Sequence, residues 1–390
     1  MKIVPYQLVL LGERSSADMA AFKEDFLTRV SELGIDPSTH VKILYSDNLT
    51  SFQSSAPLVA VFFGSPGFLA TEAEAAQRVV DTGFMIIPVV DSLDYYQTLV
   101  PECLYPVNGF ALQTASGGVA AVTSAVLETL NLLRRTRKLF ISYRRKESKV
   151  AAIQLYEHLD SCGFDVFLDT LSIRPGEPFQ EVLWHKLSDT DVVILLDTPG
   201  YLQSRWTSEE LAKASAMSIG IIQVIWPGHQ PDPITSLCER LYLSSQDVTP
   251  DANEQLSFTD DAVAEIAKLA ESLRARSLSA RYYNLVGELK LSASELDIEV
   301  ILQPQQFVII KTPHKEIAAI PTVGVPEAMR YQEFSELLVA VHDSTSDGAV
   351  LLYDDNNLRK RWQEHLQWLD THLPIKSVRI AHIKQWLTSL

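Results

Sequence analysis

The sequence predicts an α/β protein in which two related units of parallel sheet stand in tandem, followed by a carboxyl-terminal α+β or α/β segment. Three observations predict it. Strand-length runs such as Leu58 to Phe63, Lys138 to Tyr143 and Val192 to Leu196 are almost continuously apolar, the pattern of parallel strands covered on both faces. Segments of helical periodicity separate them, as in Ser148 to Cys162, where Val150, Ile153, Leu155, Tyr156 and Leu159 fall on an inward stripe and Gly163 stops the helix. The runs also recur. Leu58 to Phe68 (LVAVFFGSPGF) lines up with Asp191 to Tyr201 (DVVILLDTPGY) at an offset of 133, and Gly83 to Val90 lines up with Gly220 to Pro227 at an offset of 137. Glu102, Leu104 and Tyr105 keep that second offset to Glu239, Leu241 and Tyr242. Two related units in order are the simplest reading.

At 390 residues the chain exceeds what one hydrophobic core usually serves, so two or three domains are expected. The boundaries implied are 1–135 for a degenerate first copy, 136–278 for a second copy, and 279–390 for a carboxyl-terminal domain of unknown role, regulation being the candidate. A formal charge of −16 argues against broad nucleic-acid or anionic-membrane binding, because such partners reward a basic surface. Cys103, Cys162 and Cys238 show neither paired spacing nor a Cys/His cluster, so a disulfide framework and a zinc site are not expected, and a reduced cytoplasmic compartment is. No apolar run approaches the length of a membrane span.

Chemistry concentrates in the second copy. The strand Lys138 to Tyr143 ends in Arg144 and Arg145, and Phe164 to Asp169 is a strand ending in a carboxylate. In an open parallel sheet, ligands sit beyond the carboxyl ends of the strands, so Arg144, Arg145 and Asp169 are expected at one crevice. Paired guanidinium groups suit a diphosphate. Thr170 to Phe179 is a Pro/Gly loop over that crevice, with Gly176 its permissive joint. Trp206 and Glu210 stand four apart at a helix start, which puts an aromatic face and a carboxylate on one side. The first copy lacks the tryptophan and sets Ala73 opposite Glu210, so it keeps the scaffold without the site.

Together, Phe140 to Arg145, Gly163 to Asp169, the Pro-Gly loop and Trp206-x-x-x-Glu210-Leu211 resemble a TIR domain of the NAD-cleaving bacterial type. The resemblance implies a flavodoxin-like, five-stranded parallel sheet, with Glu210 as the catalytic glutamate, Trp206 as the wall beside it, Arg144 and Arg145 as the basic pair after the first strand, and Phe179 near the aromatic residue of the BB loop. This chain departs from some relatives in one extra residue between Gly176 and Phe179, and in Arg174 where an acidic residue is sometimes found. The implied activity is hydrolysis of NAD+ to nicotinamide and ADP-ribose or a cyclic ADP-ribose, with no metal and no cofactor beyond the substrate. Family analogy further implies self-association through TIR domains, an upstream sensor or activating ligand, and a role in antiphage defence or cell suicide. The alternative is a non-catalytic TIR scaffold acting through TIR-to-TIR contacts.

Past residue 280 no family is recognised. Asp297 to Leu302, Phe307 to Ile310, Leu337 to Val341, Val350 to Tyr353 and Val378 to Ile380 read as strands, Leu358 to His372 as an amphipathic helix, and Ile320 to Pro326 as a candidate ligand or partner loop.

Overall fold

The computed structural model describes residues 6–52, 56–113, 118–168, 179–201, 217–231, 238–250, 255–303, 305–341 and 347–390. The chain divides into two compact units, one of residues 1–136, 157–163 and 258–276, the other of 137–156, 164–257 and 277–390.

In the first unit, β1 (Tyr6–Gly12), β2 (Val41–Leu44), β3 (Leu58–Phe63), β4 (Met85–Val90) and β5 (Phe110–Ala111) form one sheet in the order β2-β1-β3-β4-β5. Every pairing is parallel. β1 and β3 are buried at every residue, which is why their sequences show no alternation. The chain reverses its direction of progress across the sheet between β1 and β3, and that switch point is where a sheet of this kind opens a crevice.

The helix Ala17–Glu32 buries Met19, Phe22, Phe26 and Val30, a stripe at intervals of three and four, and Ser16 caps it by accepting from the Met19 N–H. Arg29, on the same helix, is buried and paired through Nε and Nη1, while its Nη2 has no hydrogen-bond partner among the described residues. It donates to Asp25, to the Ser124 hydroxyl at 3.1 Å and to the Glu271 carbonyl at 3.3 Å, while Ser124 donates to the Glu271 carboxylate at 2.6 Å. Arg274 is likewise fully buried and spans Glu128, at 2.7 Å, and the carbonyls of Arg134 and Thr136.

The second unit holds β6 (Lys138–Ser142), β7 (Asp165–Leu168), β8 (Val192–Asp197), β9 (Gly220–Ile225) and β10 (Glu239–Tyr242), all parallel, in the order β10-β9-β8-β6-β7. Read from the other edge this is the order of the first sheet, strand for strand. The runs that align at offsets 133 and 137 are the third and fourth strands of each sheet. The repeat does not extend to the fifth. Residues 239–242 form β10, but Glu102–Leu104 is a single 3₁₀ turn, and the first sheet draws its fifth strand from Phe110–Ala111.

After a two-stranded ribbon of β11 (Val248–Pro250) and β12 (Leu256–Phe258), the 35-residue helix Asp260–Ser294 runs uninterrupted into the carboxyl-terminal segment. There β13 (Glu299–Leu302), β14 (Val308–Lys311), β15 (Glu316–Thr322), β16 (Gly348–Tyr353) and β17 (Lys376–Arg379) form a mixed sheet, antiparallel from β13 to β15 and parallel from β15 to β17.

Two expectations fail here. Leu337 to Val341 is not a strand but the end of the helix Ala328–Val341, because Tyr331, Phe334, Leu337 and Leu338 pack on one core at helical spacing. A five-residue apolar run cannot show that period by itself. Ile320 to Pro326 is only partly a loop, since Ile320 to Thr322 complete β15. The helix Lys360–His372 forms as expected and buries Leu366 and Leu369. Among the described residues no helix is long and apolar enough to cross a membrane.

Candidate functional site

The carboxyl ends of β6, β8 and β9 meet on one rim of the second unit's sheet. β6 ends at Ser142, whose hydroxyl lies 2.7 Å from the buried Tyr201 hydroxyl in the turn after β8. This contact ties the two loops that flank the β6/β8 switch point. Beyond Ser142 the chain makes a tight helical entry, in which the Arg144 carbonyl accepts from the Glu147 and Ser148 N–H groups at 3.1 and 3.0 Å.

That entry folds Glu147 back over the switch point. Its carboxylate accepts from the Gly200 N–H at 3.1 Å and pairs with the Arg144 guanidinium. Burial pushes the carboxyl up, but the Thr198 hydroxyl, the Gly200 N–H and Arg144 outweigh it, and Glu147 is held below its ordinary value. Gly200 lets the two approach, since a β-carbon there would fall onto the guanidinium of Arg144.

A second polar cluster stands one strand along. Asp197, the last residue of β8, is 2% exposed, yet its carboxylate accepts from the Gln223 amide at 2.7 Å and faces His229 Nε2 at 3.3 Å. Gln223 in turn accepts from Arg240 Nε at 3.3 Å. Burial pushes the Asp197 carboxyl up, against the downward pull of Gln223, His229 and Arg240.

Of the residues singled out in the sequence, Arg144 stands on this rim, partly buried and engaged by Glu147, and Arg145 beside it is exposed. Phe179 opens the helix Phe179–Ser188, but its side chain lies outside the described residues. Asp169, Trp206 and Glu210, like Arg174 and Gly176, also lie outside the described residues. Glu147, Asp197, Gln223 and His229 were not singled out. The one available signal was Asp197, an acid closing an apolar strand as Asp169 does.

The same rim of the first unit is closed by its own side chains. Glu72, in the helix Ala70–Asp81, is 6% exposed and accepts from the Gly12 N–H at 2.9 Å and from the Ser46 hydroxyl, so it bridges the ends of β1 and β2. Arg14 pairs with Asp47 at 2.9 Å and lies over the Tyr45 ring. An apolar pocket of about 270 Å³ lies at the other end of this unit's sheet, lined by Leu49, Phe52, Leu58, Val79 and Phe84.

Comparison with known proteins places these features. A family model described as TIR domain matches residues 139–258, the stretch that carries β6 to β12. The Brachypodium distachyon protein BdTIR, a probable 2′ cyclic ADP-D-ribose synthase, is 29% identical over 90 residues, which are 23% of this chain and 40% of that protein. The chain therefore matches less than half of that relative's length. Among solved structures, tagatose-6-phosphate ketose/aldose isomerase from Escherichia coli is similar at 13% identity and a TM-score of 0.20, over 72% of this chain and 82% of the isomerase. A periplasmic ribose ABC transporter protein from Conexibacter woesei follows at 11% and 0.17, over 58% and 75%. Scores this low bear on neither fold nor function.

Proposed function

This chain is a TIR-domain protein, its TIR domain lying at residues 139–258, and from that premise we propose that it cleaves NAD+ at the bond between nicotinamide and ribose. The observation that carries the reading is the match to the TIR family over the unit whose β6/β8 rim presents Arg144. Similarity to a relative named as a cyclic ADP-ribose synthase supports the substrate class.

In this reading Glu210 faces the ribose hydroxyls and the positive charge that develops on the sugar. Nicotinamide in NAD+ is already a cationic leaving group, so no proton need be delivered to it, and a single carboxylate stabilises the oxocarbenium-like sugar. Trp206 walls the pocket, Arg144 and Arg145 hold the diphosphate, and Asp169 and Phe179 complete the substrate contacts. Arg144 then exchanges Glu147 for phosphate oxygens when substrate enters.

Residues 1–135 are, in the same proposal, a decayed TIR-like copy. The shared strand order supports it, as does Glu72, whose carboxylate is spent on Gly12 and Ser46. The 136–278 domain is the catalyst and 279–390 a regulatory domain. Assembly through TIR-to-TIR contacts, in answer to an upstream sensor or ligand, switches on an antiphage or cell-suicide activity.

One observation favours the non-catalytic scaffold as a second reading: Arg144 is already engaged by Glu147. The test is incubation of the purified full chain with NAD+ at several protein concentrations, wild type beside Glu210→Ala, with products separated chromatographically. Glu210→Ala should lose at least roughly 10²-fold in turnover, the scale of one transition-state electrostatic contact. No release of nicotinamide by the wild type at any concentration would leave the scaffold.

A further inference from the structure

The Asp197 cluster has an internal order that its hydrogen bonds dictate. Arg240 Nε donates to Gln223 Oε1, so the Gln223 amide nitrogen is the group turned toward Asp197, and it donates to Oδ2 at 2.7 Å. Oδ1 lies 3.3 Å from His229 Nε2, and an ionised carboxylate can only accept there, which assigns the N–H to Nε2. An imidazole that donates through Nε2 keeps the lone pair of its other nitrogen, so Nδ1 is the basic atom. Nδ1 has no hydrogen-bond partner among the described residues.

The ring is held from its backbone as well. The Trp226 N–H donates to the Asp197 carbonyl at 3.0 Å, and the His229 N–H closes a turn onto the Trp226 carbonyl at 3.0 Å, with Gly228 at φ +74° giving the turn its left-handed residue. The His229 side chain is 18% exposed and that of Asp197 is 3% exposed, so the carboxylate is buried behind a ring that reaches solvent. Both stand at the carboxyl ends of strands, on the rim that carries Arg144. Asp197 also lies two residues along β8 from Leu195, so its side chain is on the sheet face that packs against Leu183, Leu187 and Met217.

We propose that His229, positioned by Asp197, accepts the proton of the oxygen nucleophile that captures the ribosyl carbon. This rests on the NAD+-cleaving reading above. The bond from the ribosyl carbon to the nicotinamide nitrogen breaks with its electron pair going to that nitrogen, which becomes neutral. The nucleophile's oxygen bonds to the carbon, and its proton passes to His229 Nδ1 and then to solvent. When the nucleophile is water the product is linear ADP-ribose; when it is a hydroxyl of the same substrate the product is cyclic.

The charged and titratable groups around the pair, among the described residues, are Arg240 on β10 and Cys238 just before it, whose thiol burial pushes up to about 11. Neither competes for the proton that His229 would accept.

The experiment measures NAD+ turnover by the full chain across pH, for wild type, His229→Gln, His229→Ala and Asp197→Asn, at a protein concentration where wild type is active, with linear and cyclic products separated. The Gln side chain keeps a donor toward Asp197 but takes up no proton. Expected is an acid limb in wild type that His229→Gln abolishes, with kcat lowered about 10²-fold, the lower end of what general bases contribute, and KM little changed. Free imidazole should restore turnover to His229→Ala, which separates proton transfer from a folding defect, and Asp197→Asn should displace the acid limb rather than remove it. Retention of the wild-type limb in His229→Gln, an effect on KM alone, or no rescue by imidazole would overturn the proposal while leaving NAD+ cleavage intact. Absence of wild-type turnover would instead overturn the functional reading, and this inference with it.

Discussion

Gly200 and Arg144 are 56 positions apart in the chain yet share one space, for a β-carbon on Gly200 would occupy the position of the Arg144 guanidinium. The close approach brings the turn after β8 against the entry after β6, and Glu147 seals it by accepting from both residues.

Gly200→Ala should therefore act through Arg144. The obstacle is the far end of a flexible side chain, and the ion pair it breaks is partly exposed, so the fold should lose no more than about 1 kcal/mol. NAD+ binding should weaken as it does in Arg144→Ala. Steady-state KM for the two variants beside wild type checks this, and a wild-type KM in Gly200→Ala with a raised one in Arg144→Ala would refute it.

Glu147 makes a prediction in pH. Its carboxyl is held below the ordinary 4.5, so the ionised form is favoured in the folded chain. A depressed carboxyl stabilises the fold above the unfolded value, and that contribution is lost as pH falls through the lower, folded one. Wild type should be more stable than Glu147→Gln at pH 7, with the gap closing below about pH 4.5. Thermal unfolding of both proteins across that range measures it; a constant gap would show that Glu147 does not carry the effect.

In the first unit, Arg274 is fully buried against Glu128, whose side chain is 13% exposed. Arg274→Met fills similar volume but removes the buried hydrogen bonds to Glu128 and to the carbonyls of Arg134 and Thr136, so the fold should lose stability. Urea unfolding should show an earlier midpoint. A midpoint equal to wild type would mean that these bonds do not stabilise the fold.

If neighbouring TIR domains complete one another's sites, specific activity should rise with protein concentration, and total activity should rise more than linearly. A dilution series at fixed NAD+ concentration tests this; strict proportionality would count against assembly as the switch.

The central strands β3, β4, β6, β8 and β9 were legible because burial on two faces leaves apolar runs, and the repeat was legible because the runs of the third and fourth strands recur, whereas the short edge strands Val41–Leu44 and Phe110–Ala111 leave no such run. Leu337 to Val341 was not, because five apolar residues fit a buried strand and a buried helix turn alike. The Glu147 and Asp197 clusters were missed for a different reason. Their members come from loops and strand ends with no periodic pattern, and each polar residue alone reads as a solvated one.

What the chain's sequence determined by itself is the pair of parallel sheets and their central strands, since backbone hydrogen bonding and apolar burial leave few other arrangements for such runs. Only the tertiary structure decided which polar groups meet there: Arg144 with Glu147 and Gly200, Asp197 with Gln223 and His229, Glu72 with Gly12 and Ser46. These partners lie on different loops and strands, and buried donors and acceptors find one another through the close approach of elements, which residue spacing does not encode.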